Sequence, residues 1–147
     1  MTASNAYETD FYAWAMEQAG LLRAGRLREA DLQNIAEEIE SMGRGEKREL
    51  VNRLAVLLTH LLKWQFQPGL RGNSWRLTVA EQRERLVEHL KDNPSLRAIL
   101  PVAFATAYRL ALPAAQRETG LPGEAFPPAC PYSPEQVFDE AFLPGKA

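Results

Sequence analysis

Cysteine is nearly absent from this chain: Cys130 stands alone among 147 residues. A single thiol excludes an intramolecular disulfide and any zinc cluster built from several cysteines. Histidine is almost as scarce, with His60 and His89 the two present. Neither sign of charge dominates. Seventeen Lys and Arg face nineteen Asp and Glu, a net charge of −2, which excludes a histone-like polycation. No run approaches the roughly 18–20 apolar residues of a membrane span. The first ten residues lack the basic-then-apolar order of a signal peptide. A soluble, cytoplasmic protein with no membrane association is expected. Also missing are period-2 alternation between hairpin turns, an internal repeat, a Gly-x-Ser-x-Gly elbow and a metalloprotease helix. Gly43-Arg44-Gly45 lacks the Gly-Lys-Ser/Thr ending of a phosphate loop.

What remains is 46% hydrophobic and 24% charged, the composition of an ordinary globular domain. The length suits one domain with a single core. Its periodicity is helical throughout. Residues 1–8 read as a loose tail. Thr9 or Asp10 can cap a first helix with Phe11, Trp14, Ala15, Gln18, Leu21 and Leu22 at helical spacing, ended by Gly25. A second helix spans about 27–42, with Leu32, Ile35, Ala36, Ile39 and Met42 on one side and Gly43 as its stop. A third, about 45–67, carries the widest apolar arc: Leu50, Val51, Leu54, Leu57, Leu58, Leu61 and Leu62. Such width places it centrally. A fourth covers about 75–91, with Trp75, Val79, Leu86 and Leu90 in one stripe. A fifth segment, 94–119, is expected to break near Pro101 and to end at Gly120. From residue 121 prolines dominate. Phe126, Cys130, Tyr132, Val137, Phe138 and Phe142 anchor this arm, and Ser133-Pro134-Glu135 starts a last short helix. The expected fold is all-α: a compact bundle of about five helices over 9–120, with the proline-rich arm 121–147 packed on it.

Charge is segregated along the chain. Residues 1–43 carry a net −5, residues 44–109 a net +6, and residues 110–147 a net −3. Helices of opposite sign that complement each other explain this. So does a basic surface on the third and fourth helices that meets phosphates or an acidic partner.

Three groups of residues can carry chemistry. On the third helix Arg53 and His60 stack on one strip, seven residues and about two turns apart, with Lys63 alongside. An imidazole that moves protons beside a guanidinium that steadies a phosphate suits a toxin-like ribonuclease or other nucleic-acid enzyme. Arg53-x6-His60 also resembles the Arg-x4–6-His signature of the all-α nucleotide-binding superfamily of higher eukaryotes and prokaryotes, with Leu54 where that family prefers a polar residue. Glu37, Glu38 and Glu40 on the second helix are expected to face Lys63, Arg76 or Arg83. Neither histidine has Glu three residues before it, so a ferritin-like di-iron site is not expected. No metal and no cofactor are expected at all. Gln65 and Gln82 fall within apolar stripes of successive helices. Two buried amides imply a shared polar network that includes Trp75 and a carboxylate of the second helix. Cys130, between Ala129 and Pro131, reads as a buried structural thiol.

Several strings, in this order, resemble a bacterial family, domain-of-unknown-function family number 29. They are Ala36-Glu37-Glu38-Ile39-Glu40-Ser41-Met42-Gly43-Arg44, then His60-Leu61-Leu62-Lys63-Trp64-Gln65-Phe66-Gln67-Pro68, then Ser74-Trp75-Arg76-Leu77-Thr78-Val79-Ala80-Glu81-Gln82-Arg83. Glu118-Thr119-Gly120-Leu121-Pro122, Phe126-Pro127, Cys130-Pro131-Tyr132 and Asp139 complete the set. The resemblance runs from about residue 7 to 144. It implies a bacterial α-helical domain and no particular activity. Its motif positions include Glu37, Glu38, Glu40, His60, Lys63, Trp64, Gln65, Trp75, Glu81, Gln82 and Arg83. Together with Arg76, these suggest a binding cleft among the second, third and fourth helices. The first functional expectation is a small helical binding or interaction domain with a protein partner or a second copy. The second is the nucleic-acid enzyme built on Arg53 and His60.

Overall fold

The structure is a computed structural model and describes residues 6–145. Among the described residues it is all-α, with no strand and six α-helices joined by 3₁₀ turns. The helices are α1 (Ala6–Thr9), α2 (Phe11–Arg23), α3 (Leu32–Phe66), α4 (Asn73–Asp92), α5 (Leu100–Thr119) and α6 (Pro134–Phe138). The chain divides into two compact units, Met1–Gly45 and Glu46–Ala147. A physical basis for the division is visible along the chain: none of residues 31–49 is fully buried.

In the first unit Asp10 caps α2 by accepting a hydrogen bond from the Ala13 amide at 3.1 Å. The helix ends in a Schellman motif. The Arg26 amide donates to the Leu21 carbonyl and the Gly25 amide to that of Leu22. This needs φ of +72° at Gly25, which only glycine adopts without strain. Of the expected tail, residues 1–5 lie outside the described residues, and residues 6–8 are helical rather than loose. The cause is aromatic. The Tyr7 ring packs at 4.7 Å from Trp14 and 5.9 Å from Phe11, and its hydroxyl donates to Glu38. Trp14 and Gln18 are the buried side chains of α2. Both reach Asp31, just before α3. Trp14 Nε1 donates to its carboxylate at 3.1 Å, and Gln18 Oε1 accepts its amide at 2.7 Å. Asn34 donates to the same carboxylate, which is held below the usual range chiefly by that bond.

The stop expected at Gly43 does not occur, and α3 runs without a break for 35 residues. An interior glycine costs a helix only about 1 kcal/mol relative to alanine. A left-handed residue or a following proline often marks a helix end, and neither Gly43 nor Gly45 has positive φ. Glu, Met, Arg and Lys around them are strong helix formers.

The second unit holds the main core. Leu50, Leu54, Leu57, Leu58, Leu61 and Leu62 of α3 have no exposed surface, as the wide arc predicts. Val79, Leu86 and Leu90 of α4 join them, with Ala103, Phe104, Ala107, Tyr108, Ala111 and Ala115 of α5. Asn93-Pro94 restarts the chain as a 3₁₀ turn over Pro94–Ile99, and α5 begins with Pro101 in its first turn. It ends at Gly120 with φ of +75°. Within Pro94–Thr119 an 18-residue window reaches a mean hydropathy of 1.4, which is long and apolar enough to cross a membrane by length and composition. That corrects the count of apolar runs, which Arg97 and Arg109 interrupt. The inner face of α5 is spent on the core just described.

The proline-rich arm packs within this second unit. Phe126, Tyr132 and Val137 are buried. Phe126 meets Phe66 edge-on at 5.5 Å, Phe138 meets Phe104 at 6.0 Å, and Tyr108 Oη donates to the Pro127 carbonyl at 2.6 Å. Ser133 and Gln136 form a capping box that starts α6. The Cys130 thiol is half-buried near the Tyr132 carbonyl, and burial pushes its pKa up, as suits a structural thiol.

Candidate functional site

The C-terminal turns of α3 carry several polar side chains with partners on other elements. Lys63 is 7% exposed. A buried ammonium is tolerated only when it is paired. Its Nζ lies 2.8 Å from Glu118 Oε1 of α5 and 4.7 Å from the centre of the Trp75 ring of α4. One cation thus ties three helices through a carboxylate and a π face. One turn earlier, His60 Nδ1 donates to the Val56 carbonyl at 2.9 Å, which assigns the lone pair of the neutral ring to Nε2. Burial holds His60 below its usual pKa against the opposing effect of the Val56 carbonyl.

One turn later the chain leaves α3. Arg71 Nε donates to the Trp64 carbonyl at 2.6 Å, and its guanidinium stands 5.3 Å from the Trp64 ring centre. Gln67 Nε2 donates to the Thr119 carbonyl at 3.1 Å. Trp64 Nε1 and Gln67 Oε1 are buried with no hydrogen-bond partner.

The other expected site residues separate into independent pairs. Gln65 accepts from Tyr132 Oη at 2.7 Å, whereas Gln82 accepts from Arg53 Nη1 at 3.4 Å. Both amides are half-buried and they share no partner, so the expected common network does not form. Their faces of α3 and α4 meet different neighbours, the arm in one case and Arg53 in the other. Arg83 donates to the Val137 and Gln136 carbonyls. Arg76 bonds Asn73, and Glu81 pairs with Arg85. In the first unit Glu37 pairs with Arg44 at 2.8 Å and Glu38 accepts from Tyr7. The carboxylates of residues 37 and 38 therefore take partners other than the expected Lys63, Arg76 or Arg83. That carboxylate contact holds the Tyr7 phenol up to about 12.

Arg53 and His60 are engaged by different neighbours. Arg53 Nε donates to Glu49 at 2.9 Å, and this bond holds the Glu49 carboxyl below its usual range. The cavity beside Arg53, about 430 Å³, is lined by Glu49, Glu81, Glu84, Glu88 and Asp92 as well as by Arg53, Arg85 and His89. Carboxylates outnumber arginines there, which repels a phosphate. Sequence reasoning missed Glu118, Arg71 and the burial of His89, because each depends on a helix contact that no local spacing encodes.

A second surface lies in the first unit. An apolar groove of about 440 Å³ runs between α2 and residues 35–42 of α3, with Phe11, Trp14, Leu22, Ile35, Ile39 and Met42 on its walls. Ile39 and Met42, read from the sequence as lying on one side of their helix, are 58% and 65% exposed. The spacing was visible in the sequence, and its exposure was not.

Fold and site together define a small all-α protein with a buried lysine–carboxylate–tryptophan clamp and an open apolar groove. The chain belongs to the family described as Domain of unknown function DUF29, whose model matches residues 6–143. No curated protein and no solved structure matches the chain.

The clamp makes one pH-dependent prediction. Below about 6.5, the unfolded value of histidine, the unfolded chain takes up a proton that folded His60 resists. The contribution of His60 to stability is therefore complete above that pH and is lost as the pH falls below it. His60→Gln should flatten the dependence of the urea midpoint on pH in this acidic window. An unaltered slope would assign the dependence to other groups.

Proposed function

We propose that this protein is a binding module that takes an amphipathic, basic-flanked helix of a partner protein in the groove of its first unit. The observation that carries the reading is the exposure of Phe11, Ile39 and Met42 along one continuous apolar channel. Grooves of this kind accept helices through anchors at i, i+3, i+4 and i+7. Charge selects the partner. Around the groove, α1, α2 and the adjoining stretch of α3 carry Glu8, Glu17, Glu37, Glu38 and Glu40 against Arg23 and Arg44, and Arg44 is already bound to Glu37. Lysine flanks on a docking helix complement that field. The nucleic-acid reading has less support, since Arg53 is bound to Glu49 and Gln82 beside an acidic cavity. The same proposal places the protein in a bacterial cytoplasm, where a lone thiol such as Cys130 stays reduced.

The test is a fluorescence-polarisation titration with a labelled synthetic helix bearing leucine anchors and lysine flanks. Binding is expected to weaken with added salt. Burying one such side chain contributes about 1.5–3 kcal/mol, so Ile39→Asp or Met42→Asp should weaken binding about tenfold or more. A glutamate-flanked analogue should bind less tightly. Equal binding of both peptides, or no loss in either variant, refutes the reading. A dimer in sedimentation that Ile39→Asp dissociates would put a second copy in the groove instead.

A further inference from the structure

Within the second unit, α3 and α4 bring three ligand-type side chains together where no sequence motif marks a site. His89 of α4 is 7% exposed. Its Nε2 donates to the main-chain carbonyl of Glu46 at 2.9 Å. That bond assigns the proton of the neutral ring to Nε2 and leaves a lone pair on Nδ1. Among the described residues Nδ1 makes no hydrogen bond, and it lies 3.6 Å from Glu49 Oε2 of the adjacent helix. The Glu46 carboxylate lies 3.7 Å from the other ring nitrogen. One donor atom from each of the three residues lies within 4.8 Å of the other two.

This arrangement has the geometry of a coordination site. Two ligands about 2.0–2.1 Å from a tetrahedral metal stand roughly 3.3 Å apart, close to the separation of Nδ1 from Glu49. Metal-ligating histidines typically donate their second ring N–H to a backbone carbonyl or a carboxylate, as His89 does to Glu46. The surroundings favour a cation. Glu84, Glu88 and Asp92 line the adjoining cavity, and its two arginines are taken up by Glu49 and Glu81. The Glu49 oxygen nearest Nδ1, Oε2, is the one that accepts from Arg53 Nε at 2.9 Å, so an ion would share that oxygen with Arg53 or take Oε1. An imidazole with two carboxylates suits Zn²⁺ or Co²⁺ better than Mg²⁺ or Ca²⁺, which prefer oxygen alone.

We propose that Glu46, Glu49 and His89 bind a divalent transition-metal ion, zinc being the best fit, which staples α3 to α4. Three protein ligands leave a fourth position for water. The test uses the untagged full chain, stripped with a chelator and titrated with Co²⁺, with the visible d–d absorption followed and Zn²⁺ added as competitor. The expected result is one Co²⁺ per chain, displaced by Zn²⁺. His89→Ala and Glu46→Gln should each weaken binding about tenfold or more. Glu84→Gln, on the cavity wall, should weaken it far less. Glu46 is half-exposed, so its variant decides the matter even where the His89 variant fails to fold. No stoichiometric binding, unchanged binding in Glu46→Gln, or equal weakening by Glu84→Gln would each overturn the site, the last in favour of a diffuse acidic patch.

Discussion

Leu58→Ala is expected to lower the unfolding free energy by about 3–5 kcal/mol. Leu58 has no exposed surface and belongs to the cluster that joins α3, α4, α5 and the arm. Truncation removes three carbons from a packed interior and leaves a cavity that the neighbours refill only in part. A domain of this size is stable by about 5–15 kcal/mol, so the loss is a large share of the whole. Val56→Ala serves as the control. Val56 lies two residues away on the same helix but is 38% exposed. Its truncation should cost about 0.5 kcal/mol or less. Urea unfolding of the two variants beside the parent chain measures both. Comparable losses would mean that the leucine arc is not the centre of the core.

The second large effect belongs to Arg83. Its side chain is 3% exposed, yet it sits on α4 in a stripe that also holds Val79 and Leu86. Its guanidinium donates from Nε to the Val137 carbonyl at 2.7 Å and from Nη2 to the Gln136 carbonyl at 3.3 Å. These are carbonyls of the last turn of α6, and that of Gln136 also accepts from the Asp139 amide at 3.2 Å. A cation there also complements the negative end of the helix dipole. Burial pulls the Arg83 pKa down, and Asp139 and Glu140 hold it up against that. Arg83→Met keeps much of the stem and removes both donors. Each such bond to a charged group contributes about 1.5–3 kcal/mol, so a loss of about 3 kcal/mol is expected. Residues 121–145 should also become more sensitive to proteolysis. Arg83→Lys should recover little, because an ammonium lacks the planar fork. A loss under about 0.5 kcal/mol would mean that Phe126, Tyr132 and Val137 hold the arm by themselves.

Much of the helix map was legible because its signals are short-range. The seven-residue apolar arc of α3 predicted its buried face, and all seven positions are buried. Asp10, Gly25, Gly120 and Ser133 each act as the cap or stop that their chemistry suggests. Gly43 misled for an equally physical reason. A penalty of about 1 kcal/mol is small beside the helix-forming residues around it, and no proline follows. Arg83 was expected to face carboxylates of the second helix and instead meets carbonyls of α6, since charge in a sequence says nothing about burial.

The candidate sites were less legible. Lys63 and Trp75 were singled out, but their meeting with Glu118 joins residues 55 positions apart. His89 was set aside in the sequence, because the search for Glu-x-x-His looks along one helix and its carboxylates lie on another. The same is true of the groove. Phe11 and Ile39 each fall on an apolar helical stripe, and their exposure depends on how much of each stripe the neighbouring helix covers.

By itself the sequence determined the all-α class, most of the caps and stops, the leucine-rich helix and the family, because hydrophobic periodicity and capping act over a few residues of chain. The tertiary structure alone decided which polar groups meet: Lys63 with Glu118 and Trp75, Arg83 with the end of α6, and His89 with Glu46 and Glu49. Those meetings depend on the rotation of one packed helix against another, and no spacing within a single helix encodes that angle.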